Sequence, residues 1–192
     1  MLKLHIGGGG FWMSGWVHLD KAWAIAPDGI EFIQLDVRQG LPYQDGAVDL
    51  IYASHFLDHL DAESVVPFLG QCHRVLRLGG VARFAVMDVE KLVKAYQEQR
   101  MGSFDYCQPA FYKGIKSQGL KFGLFAAGSL SGRKDYTGHY WISDYDGVAE
   151  LLSRAGFTDI HNMASGESLS ATIRAEVKDT YQDHTIYVEA RK

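Results

Sequence analysis

The fold is decided by the first stretch of the chain, Leu2–Gly10, which has the sequence LKLHIGGGG. Its first five residues alternate between apolar and polar side chains, as the residues of a strand do, and the glycines that follow predict a tight turn. A glycine turn after a strand lets backbone N–H groups approach a ligand without an intervening side chain. By themselves such glycines more often form a plain turn, so the ligand hypothesis depends on the residues that follow.

Strands and helices alternate along the rest of the chain. Short apolar runs predict six further strands, over residues 16–19, 31–35, 49–53, 81–87, 157–163 and 185–190. Helical spacing predicts helices N-capped by Ser64, by Asp88 and by a capping box of Ser143 and Asp146. This order favours an α/β fold, a Rossmann-like doubly wound and mostly parallel sheet, with the last two strands as an antiparallel pair. Residues 7–15 are too few for a full crossover helix between the first two strands.

Composition narrows the class of protein. The chain has 192 residues, 47% of them hydrophobic and 22% charged, with a net charge of −4, which favours one folded domain over residues 1–192. The absence of a basic patch disfavours nucleic acid as a partner, and the apolar runs are too short to cross a membrane. The glycine run leaves no room for a signal peptide, and two cysteines make no disulfide framework. We therefore expect a cytoplasmic protein, with its oligomeric state left open.

Polar residues follow three of the predicted strands. Asp20 and Asp36 end the second and third strands, and Ser54 follows the fourth. An aspartate after a strand is usually a turn or cap residue, but at the end of the second strand it can accept both hydroxyls of a ribose. Ligands of open parallel sheets bind outside the carboxyl ends of the strands. Together with the glycine turn, these residues predict a nucleoside-containing ligand.

Six motifs in this order resemble those of the class I S-adenosylmethionine-dependent methyltransferases. The similar segments are 4–10 (LHIGGGG), 15–20 (GWVHLD), 35–37 with 41–43 (LDV, LPY), 49–51 (DLI), 53–60 (ASHFLDHL) and 74–76 with 79–80 (RVL, GG). The resemblance resumes at 139–141 (HYW), 155–157 (AGF) and 187–192 (YVEARK). No single motif is specific for this family, but the six motifs in this order are.

The resemblance implies a seven-stranded sheet with one inserted antiparallel strand, and S-adenosyl-L-methionine as the cofactor. By it, Gly7, Gly8 and Gly9 line the methionine end of the cofactor and Asp20 holds the ribose. Asp36 and Val37 contact the adenine edge, and Ser54 and His55 face the transferred methyl group. The implied activity is methyl transfer to a small-molecule or glycan-type acceptor.

Two departures from the family support an alternative function. The family usually has an acidic residue where this chain has His5, and a helix where it has nine residues. Both normally help to hold the methionine moiety. The alternative is a methyltransferase-fold subunit that has lost catalysis and binds a partner. A nicotinamide-dependent oxidoreductase is disfavoured by the short first crossover, because that site places a pyrophosphate on a helix N-terminus.

Histidines supply the candidate catalytic groups, His55 and His139. Methyl transfer from a sulfonium depends mostly on alignment, but a hydroxyl acceptor also needs a base, a task that suits histidine. His55-Phe56-Leu57-Asp58-His59 is similar to an inverted zinc-protease motif, but no acidic third ligand follows downstream, and we predict no metal. His59 is expected to pack or hydrogen-bond under the sheet.

The aromatic-rich segment 100–142 has no clear periodicity. A long irregular stretch in a compact domain is often a lid or a binding loop, so we expect a lid or insertion on the substrate side. The same aromatic residues could instead form core under a long loop.

Overall fold

The computed structural model describes residues 1–22, 25–101, 116–120, 122, 139–179 and 181–192. Seven strands form one sheet in the order β3-β2-β1-β4-β5-β7-β6. They are β1 (Lys3–Ile6), β2 (Val17–Asp20), β3 (Glu31–Gln34), β4 (Val48–Ser54), β5 (Leu76–Met87), β6 (Asp159–Met163) and β7 (Thr185–Arg191). β7 lies antiparallel between β5 and β6, while β1 to β5 pair in parallel. The predicted Rossmann-like doubly wound fold, with one inserted antiparallel strand, is confirmed.

Four helices lie wholly within the described part of the chain. They are α1 (Val65–Val75), α2 (Val89–Gln97), α3 (Tyr145–Arg154) and α4 (Ala171–Glu176). Short 3-10 turns follow β3 and β4, at Val37–Gln39 and Leu57–His59. Among the described helices, none has both the length and the apolar character that a membrane span requires.

The helix caps were predicted with mixed success. Asp88 caps α2 as expected, accepting hydrogen bonds from the backbone N–H groups of the first turn. The capping box predicted before α3 is wrong. The cap is Asp144, whose side chain accepts from Gly147 N, because Ser143 is extended and forms a bridge with Asp88. Ser64 precedes α1, but its side chain makes no capping bond.

The two faces of the sheet differ in character. One face packs apolar side chains against α1 and α3, and it forms the larger core cluster. The other face carries a continuous row of mostly polar residues, one from each strand in register: Phe32, His18, His5, Tyr52, Arg83, Glu189 and His161. Arg83 is buried in this row, 2.8 Å from Glu189 and 2.5 Å from Asp179, so its charge is compensated.

A short loop and a short helix cover this polar face beside β1 and β4. Residues 7–15 contain no helix, as predicted, and Gly7 N donates to Leu19 O as the chain turns from β1 toward β2. Trp16 and Ile173 of α4 complete a small apolar cluster there. Since no long helix among the described residues covers this side of the first strands, the described chain leaves room for a cavity next to the glycine turn.

Candidate functional site

A cavity of about 500 Å³ lies at the carboxyl ends of β1 and β4. Its lining residues are His5, Gly7, Gly8, Gly9, Gly10, Phe11, Trp12, Met13, Tyr52, Ser54, His55, Glu176, Lys178 and Tyr181. This volume is in the range of small-molecule and cofactor sites. The cavity brings together five residues predicted to bind the ligand, which are Gly7, Gly8, Gly9, Ser54 and His55.

The glycine turn is shaped by close packing as well as by its backbone conformation. Gly7 and Gly9 have positive φ angles of 66° and 52°, which favour glycine. A Cβ atom at Gly7 would overlap the ring of Phe56, and one at Gly8 would overlap the imidazole of His5. Glycine is therefore required for packing between protein groups, and the same turn forms one wall of the cavity.

Asp20 lies at the end of β2, directly behind the glycine turn. Its Oδ2 accepts a hydrogen bond from Gly9 N at 3.1 Å, and its Oδ1 accepts one from Ala22 N at 2.8 Å. A carboxylate offers about four lone-pair positions, so capacity remains for further donors such as hydroxyl groups. Asp20 thus supports the turn and is not itself among the residues that line the cavity.

Asp36 and Val37 also lie outside the cavity lining. Asp36 caps the 3-10 turn and forms ion pairs with Arg38 and Lys21 at 2.6 and 2.9 Å. The Arg38 hydrogen bond, above all, holds the pKa of the Asp36 carboxyl well below its usual range. Val37 is buried in the core. In this state the Asp36 carboxylate is occupied by the chain's own cations.

His55 follows β4 in a strained backbone conformation, with φ 48°. Its N–H donates to Ala85 O at 2.8 Å, and its Nε2 lies 3.0 Å from Thr185 Oγ1. Burial, and then the neighbouring histidines, lower the pKa of His55 to about 3. The ring is therefore neutral at pH 7 and a weak base in this state. The assignment of His55 as the base stays a prediction.

The opposite wall of the cavity is formed by residues that no sequence motif indicated. Glu176 ends α4 and Lys178 follows it, with Tyr181 a few residues on. Glu176 Oε2 accepts from Lys3 Nζ at 2.6 Å and from Trp16 Nε1 at 2.8 Å. A charged residue at the end of a six-residue helix carries no periodic signal, so the tertiary structure alone reveals this wall.

His139 lies against the turn after β4 and is not among the residues that line the cavity. Its Nδ1 is 3.4 Å from Asp58 Oδ2, and its ring meets that of His59 edge to face at 4.5 Å between centroids. Asp58 is fully buried, and burial raises its pKa to about 6. His59 is thus packed, as expected, but its neighbours are His139 and Asp58.

Most of the predicted lid over residues 100–142 lies outside the described residues. Within this segment the structure describes residues 100, 101, 116–120, 122 and 139–142. The described part at 139–141 is attached to the turn after β4, because Tyr140 N donates to Asp58 O at 2.7 Å.

Comparisons with known proteins agree with this geometry. Residues 16–84 match the sequence family described as a methyltransferase domain. Over this stretch the chain is similar in sequence to methyltransferases. Its fold is that of the class I S-adenosylmethionine-dependent methyltransferases, and S-adenosylmethionine is the cofactor this fold implies. No curated protein shows significant sequence similarity to the chain.

Solved structures of S-adenosylmethionine-dependent methyltransferases resemble the fold over the length of the chain. An S-adenosylmethionine-dependent methyltransferase from Thermotoga maritima is 11% identical with a TM-score of 0.56, covering 100% of this chain and 82% of the other. One from Mesorhizobium loti is 19% identical with a TM-score of 0.55, covering 100% and 90%. One from Archaeoglobus fulgidus is 14% identical with a TM-score of 0.54, covering 99% and 85%.

The residues around the cavity fit the methionine end of this cofactor. Glu176 and Lys178 offer one carboxylate and one ammonium group, which complement the amino and carboxylate groups of an amino acid. His5 does not take the place of the missing acidic group, because an imidazole carries no negative charge. Burial, and then His18, lower its pKa to about 3 and keep the ring neutral. Its ring is instead packed between Tyr52 and the glycine turn.

Proposed function

We propose that the chain transfers a methyl group from S-adenosylmethionine to a small-molecule or glycan-type acceptor in the cavity between the glycine turn and the end of β4. The observation that carries this proposal is the cavity itself, which joins the backbone of Gly7–Gly10 to Ser54 and His55. The sulfonium of the cofactor supplies an activated methyl group, so the protein's main task is to align the acceptor with it.

In this proposal the cofactor's amino-acid end is held by an unusual pair. Glu176 accepts from its ammonium group and Lys178 pairs with its carboxylate, which replaces the acidic residue that the family usually has at the position of His5. Asp20 holds the ribose beside Gly9, in keeping with its spare acceptor positions. The family resemblance assigns Asp36 and Val37 to the adenine edge. To bind adenine there, Asp36 would have to give up its ion pair with Arg38 or the one with Lys21.

Ser54 and His55 face the methyl end. The strained conformation of His55 is held by the hydrogen bond to Ala85 and by the contact with Thr185. A neutral imidazole can accept a hydrogen bond from an acceptor hydroxyl and orient it. We propose His55 in this orienting role, with His55 or His139 as the base. Full turnover of both alanine variants on a genuine acceptor would exclude the two histidines as base.

The proposal is tested first by thermal unfolding with S-adenosylmethionine and S-adenosylhomocysteine, with NAD as the control ligand. At about 100 times the dissociation constant, a ligand stabilises the folded state by roughly 2.7 kcal/mol. For a chain of this length the midpoint rises by about 5–10 °C. No shift at millimolar concentrations of the sulfur ligands would refute cofactor binding and favour the binding-subunit function.

Single-residue variants then test which carboxylates bind the cofactor. The rise of the thermal midpoint on adding the cofactor should be smaller in Asp20→Ala and in Glu176→Gln, since each variant lacks a carboxylate assigned to cofactor binding. Glu167→Gln is the matched control, because the side chain of Glu167 is about two-thirds exposed and does not line the cavity. A shift that Glu176→Gln leaves unchanged would exclude Glu176 as the ammonium ligand while leaving cofactor binding itself established.

A further inference from the structure

We propose that Asp58, His59 and His139 form a binding site for one divalent transition-metal ion. One potential ligand atom from each side chain lies within 4.8 Å of the other two. None of the three residues lines the cavity, and the proposal does not depend on methyl transfer. With His139 bound to a metal ion, His55 is the remaining candidate for the base. No metal is predicted from the sequence, because no third ligand is apparent near His59. The fold supplies one in His139, about eighty residues downstream.

The carboxylate of Asp58 is the strongest indication of a missing ligand. The residue is completely buried, and neither of its oxygens has a hydrogen-bond partner among the described residues. Nδ1 of His139, which faces it, has no such partner either. Buried polar atoms are nearly always satisfied, and a carboxylate without a partner is costly. A cation between Asp58 and His139 satisfies both groups at once.

The site is assembled by contacts that do not involve the ligand atoms. Asp58 and His59 lie in the 3-10 turn after β4, and Asp58 O accepts from Tyr140 N at 2.7 Å. Next in the chain, Trp141 Nε1 donates to Leu60 O at 2.9 Å. These two bonds attach the segment that carries His139 to the turn. Asp58 and the segment that carries His139 are therefore held next to each other before any ion binds.

The donor set selects the class of ion. Two imidazole nitrogens and one carboxylate oxygen suit zinc and neighbouring first-row metals, whereas magnesium and calcium prefer oxygen ligands throughout. Metal–ligand distances of about 2.0–2.2 Å in a tetrahedral site place ligand atoms roughly 3.4 Å apart. The separation of His139 Nδ1 and Asp58 Oδ2 is 3.4 Å. The three ligand atoms are only within 4.8 Å of one another, so His59 has to move inward, by up to about 1.4 Å, to reach this geometry. A fourth position stays open to water.

The test uses the full chain without an affinity tag. The protein is stripped of metal with a chelator, dialysed against a small excess of Zn²⁺ or Co²⁺, and analysed for bound metal, with the visible absorption of Co²⁺ reporting on its ligands. We expect one ion per chain. Asp58→Asn and His139→Gln should weaken binding by more than the roughly 10–100-fold that loss of a supporting residue causes.

His161→Gln is the matched control. His161 lies beside Asp159 at the surface, so it is also a histidine next to an aspartate, and no third ligand is near it among the described residues. Thermal unfolding of each metal-free variant shows whether it is folded. If the wild-type chain binds no ion, or if only His161→Gln abolishes binding, the proposed site does not exist. The wild-type stoichiometry decides the matter even if Asp58→Asn fails to fold.

Discussion

The protonation of His5 makes the stability of this domain depend on pH in a way that can be calculated. His5 lies in the polar row between His18 and Tyr52, with 3% of its surface exposed. Its ring stacks on Tyr52, and its Nδ1 is 3.2 Å from Nδ1 of His18. Burial, and then the neighbouring His18, lower its pKa from 6.5 to about 3. The folded protein therefore holds this imidazole neutral where the unfolded chain would protonate it.

The sign of the effect follows from this difference. Since the folded pKa is below the unfolded pKa, the unfolded chain binds the proton first as the pH falls. The stabilisation by neutral His5 is complete above the unfolded pKa of 6.5 and is lost progressively toward pH 3. Between about pH 7.5 and about pH 5 the loss is about 2 kcal/mol, with a limiting slope of about 1.4 kcal/mol per pH unit. The thermal midpoint should fall by roughly 4–8 °C from this residue.

The assay compares urea unfolding of the wild-type chain and His5→Asn at several pH values between about 5 and about 7.5. At neutral pH the variant already differs from the wild type in its free energy of unfolding, because the stacking on Tyr52 is lost. It no longer has the imidazole that titrates. Its free energy of unfolding should decline by about 2 kcal/mol less than that of the wild type over this range. Buried histidines that do not contact His5, such as His55 and His184, contribute to both proteins and cancel in the difference. Equal declines in the two proteins would refute the argument.

Two further predictions concern the polar row and the glycine turn. Arg83→Met leaves the buried carboxylates of Glu189 and Asp179 without their cation, and it should lower the free energy of unfolding by about 3–5 kcal/mol in denaturant titrations. A milder loss, below about 1 kcal/mol, would mean that these acids find other partners. Gly7→Ala should destabilise more than Gly166→Ala in the same titrations. Both glycines have positive φ, but a Cβ overlaps an aromatic ring at Gly7 and meets nothing within 4 Å at Gly166. Equal losses of unfolding free energy in the two variants would show that the positive φ angle, and not the overlap with the aromatic ring, causes the destabilisation.

Much of the fold could be predicted because its signals are local. The alternation in Leu2–Ile6, the glycines after it and the apolar run 81–87 each specify an element within a few residues. The capping box at Ser143 failed because a pairing with Asp88 displaced the cap by one residue. That pairing is a long-range contact, and nothing in the local sequence indicates it.

The residues of the candidate site likewise form two groups, those that the local sequence indicates and those that only the tertiary structure reveals. Gly7, Gly8, Gly9, Ser54 and His55 could be found from the sequence, because they follow strands and the carboxyl ends of parallel strands meet at one edge of the sheet. Glu176 and Lys178 could not be found, since their place in the cavity wall depends on how α4 packs over the polar face.

The sequence by itself determined the order of the strands and of α1, α2 and α3, the absence of a first crossover helix and the resemblance to methyltransferases, but it did not indicate α4. All three depend on residues close together in the chain, where hydrophobic period and turn chemistry act directly. The tertiary structure alone decided that His5 is a buried neutral group, that seven strands align one mostly polar row, and that His139 meets Asp58. The protonation of a histidine and the partner of a carboxylate depend on the groups that surround them in space, and here the fold brings those groups from distant parts of the chain.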